Sequence, residues 1–121
     1  MEKIIHIGDY EIPVRSTAAS LFSYKANFGR DGIRDMIALA KGLPEGSQEV
    51  TAEVLADSGF DFDVFFRFLW VFAKAANKSI PPLPEWLDTI EMPPFDFAMG
   101  ALPQVTDLLM STAKSSVKSK N

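Results

Sequence analysis

The sequence contains no cysteine and a single histidine, His6. The lack of cysteine excludes a disulfide framework, thiolate nucleophiles and Cys-ligated zinc. It is compatible with a reducing compartment. A catalytic histidine needs a nucleophile and an orienting acid beside it in space, and a lone histidine in a short strand reads instead as structural or exposed. Phosphate-cradling glycine loops are absent as well, since neither GxGxxG nor GxxxxGK[ST] occurs. Asp61 and Asp63 lie close together, but they lack the glycine and the ligand spacing of a calcium loop. They read as the solvated start of a helix. With no catalytic, cofactor-binding or metal-ligating constellation, the chain is expected not to be an enzyme and to use no cofactor.

Long hydrophobic runs are missing too. The longest, Phe68 to Ala73, falls far short of the ~20 residues of a membrane span. The N-terminal pair Ile4-Ile5 is cut off by His6 and Gly8, which is not a secretion signal. Positive charge is scarce: 12 Lys and Arg stand against 16 Asp and Glu, for a net charge of −4. Only the extreme C-terminus is basic, with Lys114, Lys118 and Lys120, whereas a nucleic-acid binder needs a basic surface to displace counterions. The expectation is a cytoplasmic protein with neither a nucleic-acid nor a membrane partner.

What is present is apolar and aromatic. Of 121 residues, 47% are hydrophobic, and ten are Phe and two Trp, enough for one domain with a core of its own. Residues 3–15 read as a β-hairpin. Gly8-Asp9 suits a type II′ turn, and Tyr10, Ile12 and Val14 alternate with Glu11, Pro13 and Arg15. Pro13 makes this an edge strand. Ser16 or Thr17 can cap a first helix with the stripe Thr17, Leu21, Tyr24 and Phe28. Gly29 sits where a left-handed C-cap is wanted. Asp31 can cap a second helix whose inner face holds Ile33, Met36, Ile37 and Ala40, and Gly42 and Pro44 end it. The acidic stretch 44–59 can hold a short helix with Val50, Val54 and Leu55 that ends at Gly59.

From Phe60 to Ala73 eleven of fourteen residues are apolar, so this helix must be buried on more than one face. Phe65, Leu69 and Phe72 share one side. The rings of Phe60, Phe62, Phe65, Phe66, Phe68, Trp70 and Phe72 form either core or part of an interface. Pro84 opens a short helix carrying Trp86 and Leu87, and a last helix runs from about Asp96 to Lys114 with Ala98, Leu102, Val105 and Leu109 on one face. The fold class is therefore mainly α: one helical domain over 1–114 with an N-terminal β-hairpin, followed by a flexible Ser/Lys-rich tail over 115–121. The apolar surface looks large for one small domain to hide. That marks Trp86 and the stripe Ala98, Leu102, Val105 and Leu109 as candidate partner-binding residues, on a chain that works by protein–protein binding.

Several blocks also form a pattern. Arg15-Ser16-Thr17-Ala18-Ala19, then Tyr24-Lys25 and Phe28-Gly29-Arg30-Asp31, resemble the "ST-A … YR-x-x-FGRD" signature of tail assembly chaperones from long-tailed phages and prophages of Gram-positive bacteria. Trp70-Val71-Phe72-Ala73-Lys74-Ala75-Ala76 is similar to that family's "W-x-x-AK-x-A" helix end, and Pro84-Glu85-Trp86-Leu87-Asp88 to its "P-x-x-WLD" helix. The resemblance covers roughly residues 3–91, with weaker agreement to about 113, and makes Tyr24, Phe28, Gly29, Arg30 and Asp31 its structural motif. It implies a chaperone that keeps the tape-measure protein soluble, helps recruit tail-tube protein and is absent from the mature virion. It also implies that this chain is the short form of a product lengthened by frameshifting. A homo-oligomer is expected, with self-association covering the apolar surface until the partner arrives. The alternative is an unrelated small cytosolic or prophage adaptor or regulator that also acts by protein–protein binding.

Overall fold

Gly8 has φ 59°, and no non-glycine among the described residues has a positive φ. Positive then negative φ across Gly8-Asp9 is the pattern of a type II′ turn, whose twist matches the strands it joins. It links β1 (Glu2–Ile7) to β2 (Tyr10–Arg15) in an antiparallel pair, with Ile5 opposite Ile12 and Ile4 opposite Pro13. The alternation buries Ile5, Ile7, Ile12 and Val14 and leaves Glu2, His6, Glu11 and Arg15 in solvent. The computed structural model describes residues 1–43 and 51–118, with side chains through Leu109 apart from Ala52.

Six helices follow among the described residues: α1 (Ser20–Phe28), α2 (Gly32–Lys41), α3 (Ala52–Ser58), α4 (Phe62–Ala76), α5 (Leu83–Asp88) and α6 (Pro94–Lys118). The fold is mainly α with an N-terminal hairpin. The helix starts are chemically explicit. Asp31 accepts from the Ile33 and Arg34 amides, Thr51 from Val54 and Asp61 from Val64, which satisfies N–H groups that a helix start leaves free. Gly29 closes α1 with φ 67° and donates its amide to the Lys25 carbonyl at 2.8 Å.

Two boundaries differ from expectation. α1 begins at Ser20, and neither Ser16 nor Thr17 caps it. The Thr17 hydroxyl accepts from the Ala19 amide at 3.2 Å, and the Ser20 hydroxyl accepts from the Thr17 amide at 3.0 Å. These hydroxyls hold a separate turn ahead of the helix, so Thr17 stands outside the α1 stripe. α6 begins at Pro94 and continues past Lys114 to Lys118, with Pro103 in its interior. Residues 119–121 of the expected tail, and Val50 of the expected short helix, lie outside the described residues.

α4 is the centre. It packs against β2, α1, α2 and α6, while α6 also lies along β1. The run Phe68 to Ala73 is buried at every position, so all sides of this helix are covered, and Phe65, Leu69 and Phe72 are in the core as expected. α6 approaches the hairpin closely at Gly100, where a Cβ would stand 2.8 Å from Ile7 Cγ2. One turn on, Gln104 serves as a substitute strand for the open edge of β1. Its Oε1 accepts from the His6 amide at 2.9 Å and its Nε2 donates to the His6 carbonyl at 3.0 Å. Backbone groups on an unpaired edge need such partners. At the far end of α4, Trp70 Nε1 donates to the Pro81 carbonyl at 2.8 Å, and Lys74 Nζ donates to the carbonyls of Lys78 and Ile80 at 2.8 and 2.7 Å. Two residues of the "W-x-x-AK" block thereby clasp the proline-rich link into α5.

Candidate partner-binding surface

Around the junction of α1 and α2, all five signature residues have structural duties. Tyr24 is fully buried, stacks on Phe68 with centroids 4.3 Å apart, and donates its hydroxyl to Asp35 Oδ2 at 2.6 Å. Phe28 meets Tyr24 and Trp70 edge-on at 5.4 and 5.6 Å. Gly29 turns the chain and Asp31 caps α2. Arg30 reaches over this turn to Asp35 as a fork, Nε to Oδ2 at 2.6 Å and a terminal nitrogen to Oδ1 at 3.0 Å.

Asp35 was not marked by the sequence, yet it is the buried acceptor on which Tyr24 and Arg30 converge. Arg30's hydrogen bonds hold its carboxyl below the usual carboxylate range, against the opposing effect of burial. Burial first, and then the bond to Asp35, pushes the Tyr24 hydroxyl up to about 12. Asp35 in turn raises the Arg30 guanidinium above its ordinary value, chiefly through their hydrogen bonds. A fork of two charge-assisted bonds fixes orientation as well as distance. The arrangement locks α2 onto α1.

The residues expected to meet a partner do not lie at the surface. Trp86, Ala98, Leu102, Val105 and Leu109 are all buried in the chain's own core, and Leu109 is only 6% exposed. The apolar load that looked too large for one domain is hidden within it. The physical reason is the cover supplied by the hairpin and α4. β1 lies on one side of the α6 stripe through the close approach at Gly100, and α4 lies on another, with Phe66 stacked on Phe97 at 6.1 Å.

The inner face of α2 is also corrected. Gly32, Asp35 and Leu39 point inward with Met36 half-buried, whereas Ile33, Ile37 and Ala40 face solvent. Ile33 is 54% and Ile37 51% exposed. Two contacts turn the helix this way. A Cβ at Gly32 would stand 2.9 Å from Leu21 Cδ2, so only the glycine side of α2 can approach α1 so closely. Arg30 and Tyr24 then draw Asp35 inward. The sequence signal that could have revealed this is Arg30 itself, which needs a carboxylate within reach once Asp31 is occupied as a cap.

The exposed stripe of α2 borders an apolar groove of about 170 Å³ between α2 and α6, lined by Met36, Ile37, Leu39, Ala40, Leu43, Thr106 and Leu109. On the other flank of the stripe stand Arg34 and Lys41, both exposed and in no ion pair among the described residues. Among the described residues, no group of three or more His, Asp or Glu could hold a metal ion, and no helix is long and apolar enough to cross a membrane. No protein-family model, curated protein or solved structure matches this chain.

Proposed function

We propose that this chain is a tail assembly chaperone of a long-tailed phage or prophage of Gram-positive bacteria. In this reading it holds the tape-measure protein in the host cytoplasm, brings tail-tube subunits to it, and is left out of the finished virion. It also self-associates while the partner is absent. The observation that carries the reading is the set of signature blocks, which stand in one order along the chain: Arg15 to Ala19, Tyr24-Lys25 with Phe28 to Asp31, Trp70 to Ala76, and Pro84 to Asp88. Support comes from the duties of these residues. Tyr24, Arg30, Trp70 and Lys74 each make a contact that fastens one element to another, as residues that define a scaffold must. A tape-measure protein is a long helical chain, and an exposed apolar helix face is the kind of surface that receives a helix.

Co-expression with the tape-measure protein of the same genome tests the proposal. The partner is expected to stay soluble and to co-purify with this chain, while the chain alone elutes larger than a monomer. Equal solubility of the partner with and without the chain, and no co-purification, would overturn the reading in favour of an unrelated adaptor.

A further inference from the structure

We infer that the outer face of α2, together with the groove between α2 and α6, docks one acidic amphipathic helix of a protein partner. The inference rests on the protein-binding reading of the chain but not on which protein is bound.

Ile33, Ile37 and Ala40 follow the i, i+4, i+7 spacing of one helix face, and all three face solvent. Ile33 and Ile37 are two of the three exposed isoleucines, with Ile4 on the hairpin the third, and they alone stand together on one helix face. On one flank, the groove of about 170 Å³ is lined almost wholly by apolar atoms. That volume resembles a dry, apolar cavity of ~150 Å³ able to hold benzene, so it suits one Leu or Phe side chain inserted from a helix lying along the stripe.

The other flank decides the charge of the occupant. Between Ser20 and Lys41 there are four basic residues and two acidic ones in a chain of net charge −4. Both acids are engaged: Asp35 by Arg30 and Tyr24, and Asp31 by the amides it caps. Arg34 and Lys41 are left facing outward beside the isoleucines, and neither pairs with a carboxylate among the described residues. A partner with leucines on one side and glutamates beside them satisfies stripe, groove and flank together. An anionic bilayer fits less well. It has no knob to fill a groove, and it is repelled by the rest of an acidic chain.

The test uses the full chain and two synthetic helical peptides with the same leucine pattern, one with glutamate flanks and one with lysine flanks, titrated by fluorescence anisotropy. The glutamate peptide is expected to bind at least about tenfold tighter, and to weaken as salt is raised. The pair Ile33→Ser and Ile37→Ser is expected to abolish binding, and the pair Arg34→Glu and Lys41→Glu to invert the preference. All four side chains are exposed, so thermal melting should be unchanged and serves as the folding control. Equal binding of both peptides, no binding of either, or indifference to the variants would overturn the inference. So would binding to phosphatidylserine vesicles that the isoleucine pair abolishes while the peptides stay unbound. Co-purification of the tape-measure protein with the parent and with the isoleucine-pair variant alike would sink this surface and leave the chaperone reading standing. Its absence with the parent, alongside peptide binding as described, would do the reverse.

Discussion

At the scale of single residues, Asp35 is held by three hydrogen bonds from two side chains. It sits nearly buried while its partner Arg30 is half exposed, with side-chain accessibilities of 5% and 50%. Removing the Tyr24 hydroxyl takes one charge-assisted bond from this carboxylate, and Tyr24→Phe is expected to lower stability by about 1–3 kcal/mol. The same groups set a pH dependence with a definite sign. An unfolded chain protonates Asp35 near the ordinary 3.8, and the folded chain resists to lower pH. Its contribution is therefore present above about pH 4 and lost as pH falls through the folded value. Tyr24 acts at the other end. Its folded value of about 12 lies above the ordinary 10.0, so its contribution is full below pH 10 and lost as pH rises from 10 to 12. Urea midpoints measured across pH should fall on both sides. Asp35→Asn should flatten the acid side and Tyr24→Phe the alkaline side. Slopes untouched by these changes would show that the pair is not what couples α1 to α2.

Between elements, two glycines matter for different reasons, and alanine separates them. At Gly29 the added methyl group meets nothing within 4 Å, so Gly29→Ala costs only the left-handed backbone, about 1–2 kcal/mol, and no neighbouring substitution recovers it. At Gly100 the backbone is ordinary helix, where alanine would normally stabilise by about 1 kcal/mol. The methyl would instead meet Ile7 Cγ2 at 2.8 Å. Ile7 is β-branched and cannot swing away, so the hairpin itself must shift. Gly100→Ala is expected to destabilise by about 1 kcal/mol or more, and the loss should shrink in the background Ile7→Ala. Additive effects of the two changes in a double-mutant cycle would argue against the close approach of α6 to β1.

For the molecule as a whole, one core joins hairpin and helices, and α4 is the element they share. Phe65 is fully buried in it, so Phe65→Ala is expected to cost about 3–5 kcal/mol. The loss should be global. Trp70 on α4 and Trp86 on α5 report different parts of this core, and their fluorescence and the helical circular dichroism should shift to the same lower urea midpoint. A variant whose helical signal keeps the parent midpoint while the fluorescence moves would mean that α4 is not the common centre.

Much of this architecture was legible in the order of residues because its causes are local. A glycine within two residues of a strand end sets the turn at Gly8. Asp31, just past the glycine break at Gly29, caps α2. A helix apolar on every side has to be central, and α4 is. The tape-measure proposal likewise rests on residue patterns along the chain. What only the tertiary structure decided is which side of each amphipathic helix is covered. Periodicity shows that α2 and α6 each have an apolar stripe, but a stripe is silent about its neighbour. For α6, the hairpin and α4 make the stripe of Ala98, Leu102, Val105 and Leu109 into core. For α2, the contact of Gly32 with Leu21 and the pull of Arg30 and Tyr24 on Asp35 turn Ile33 and Ile37 outward. Those contacts join residues up to eleven positions apart in sequence. Close packing and a half-buried charge pair outweighed the burial of two isoleucines, leaving an apolar face in solvent.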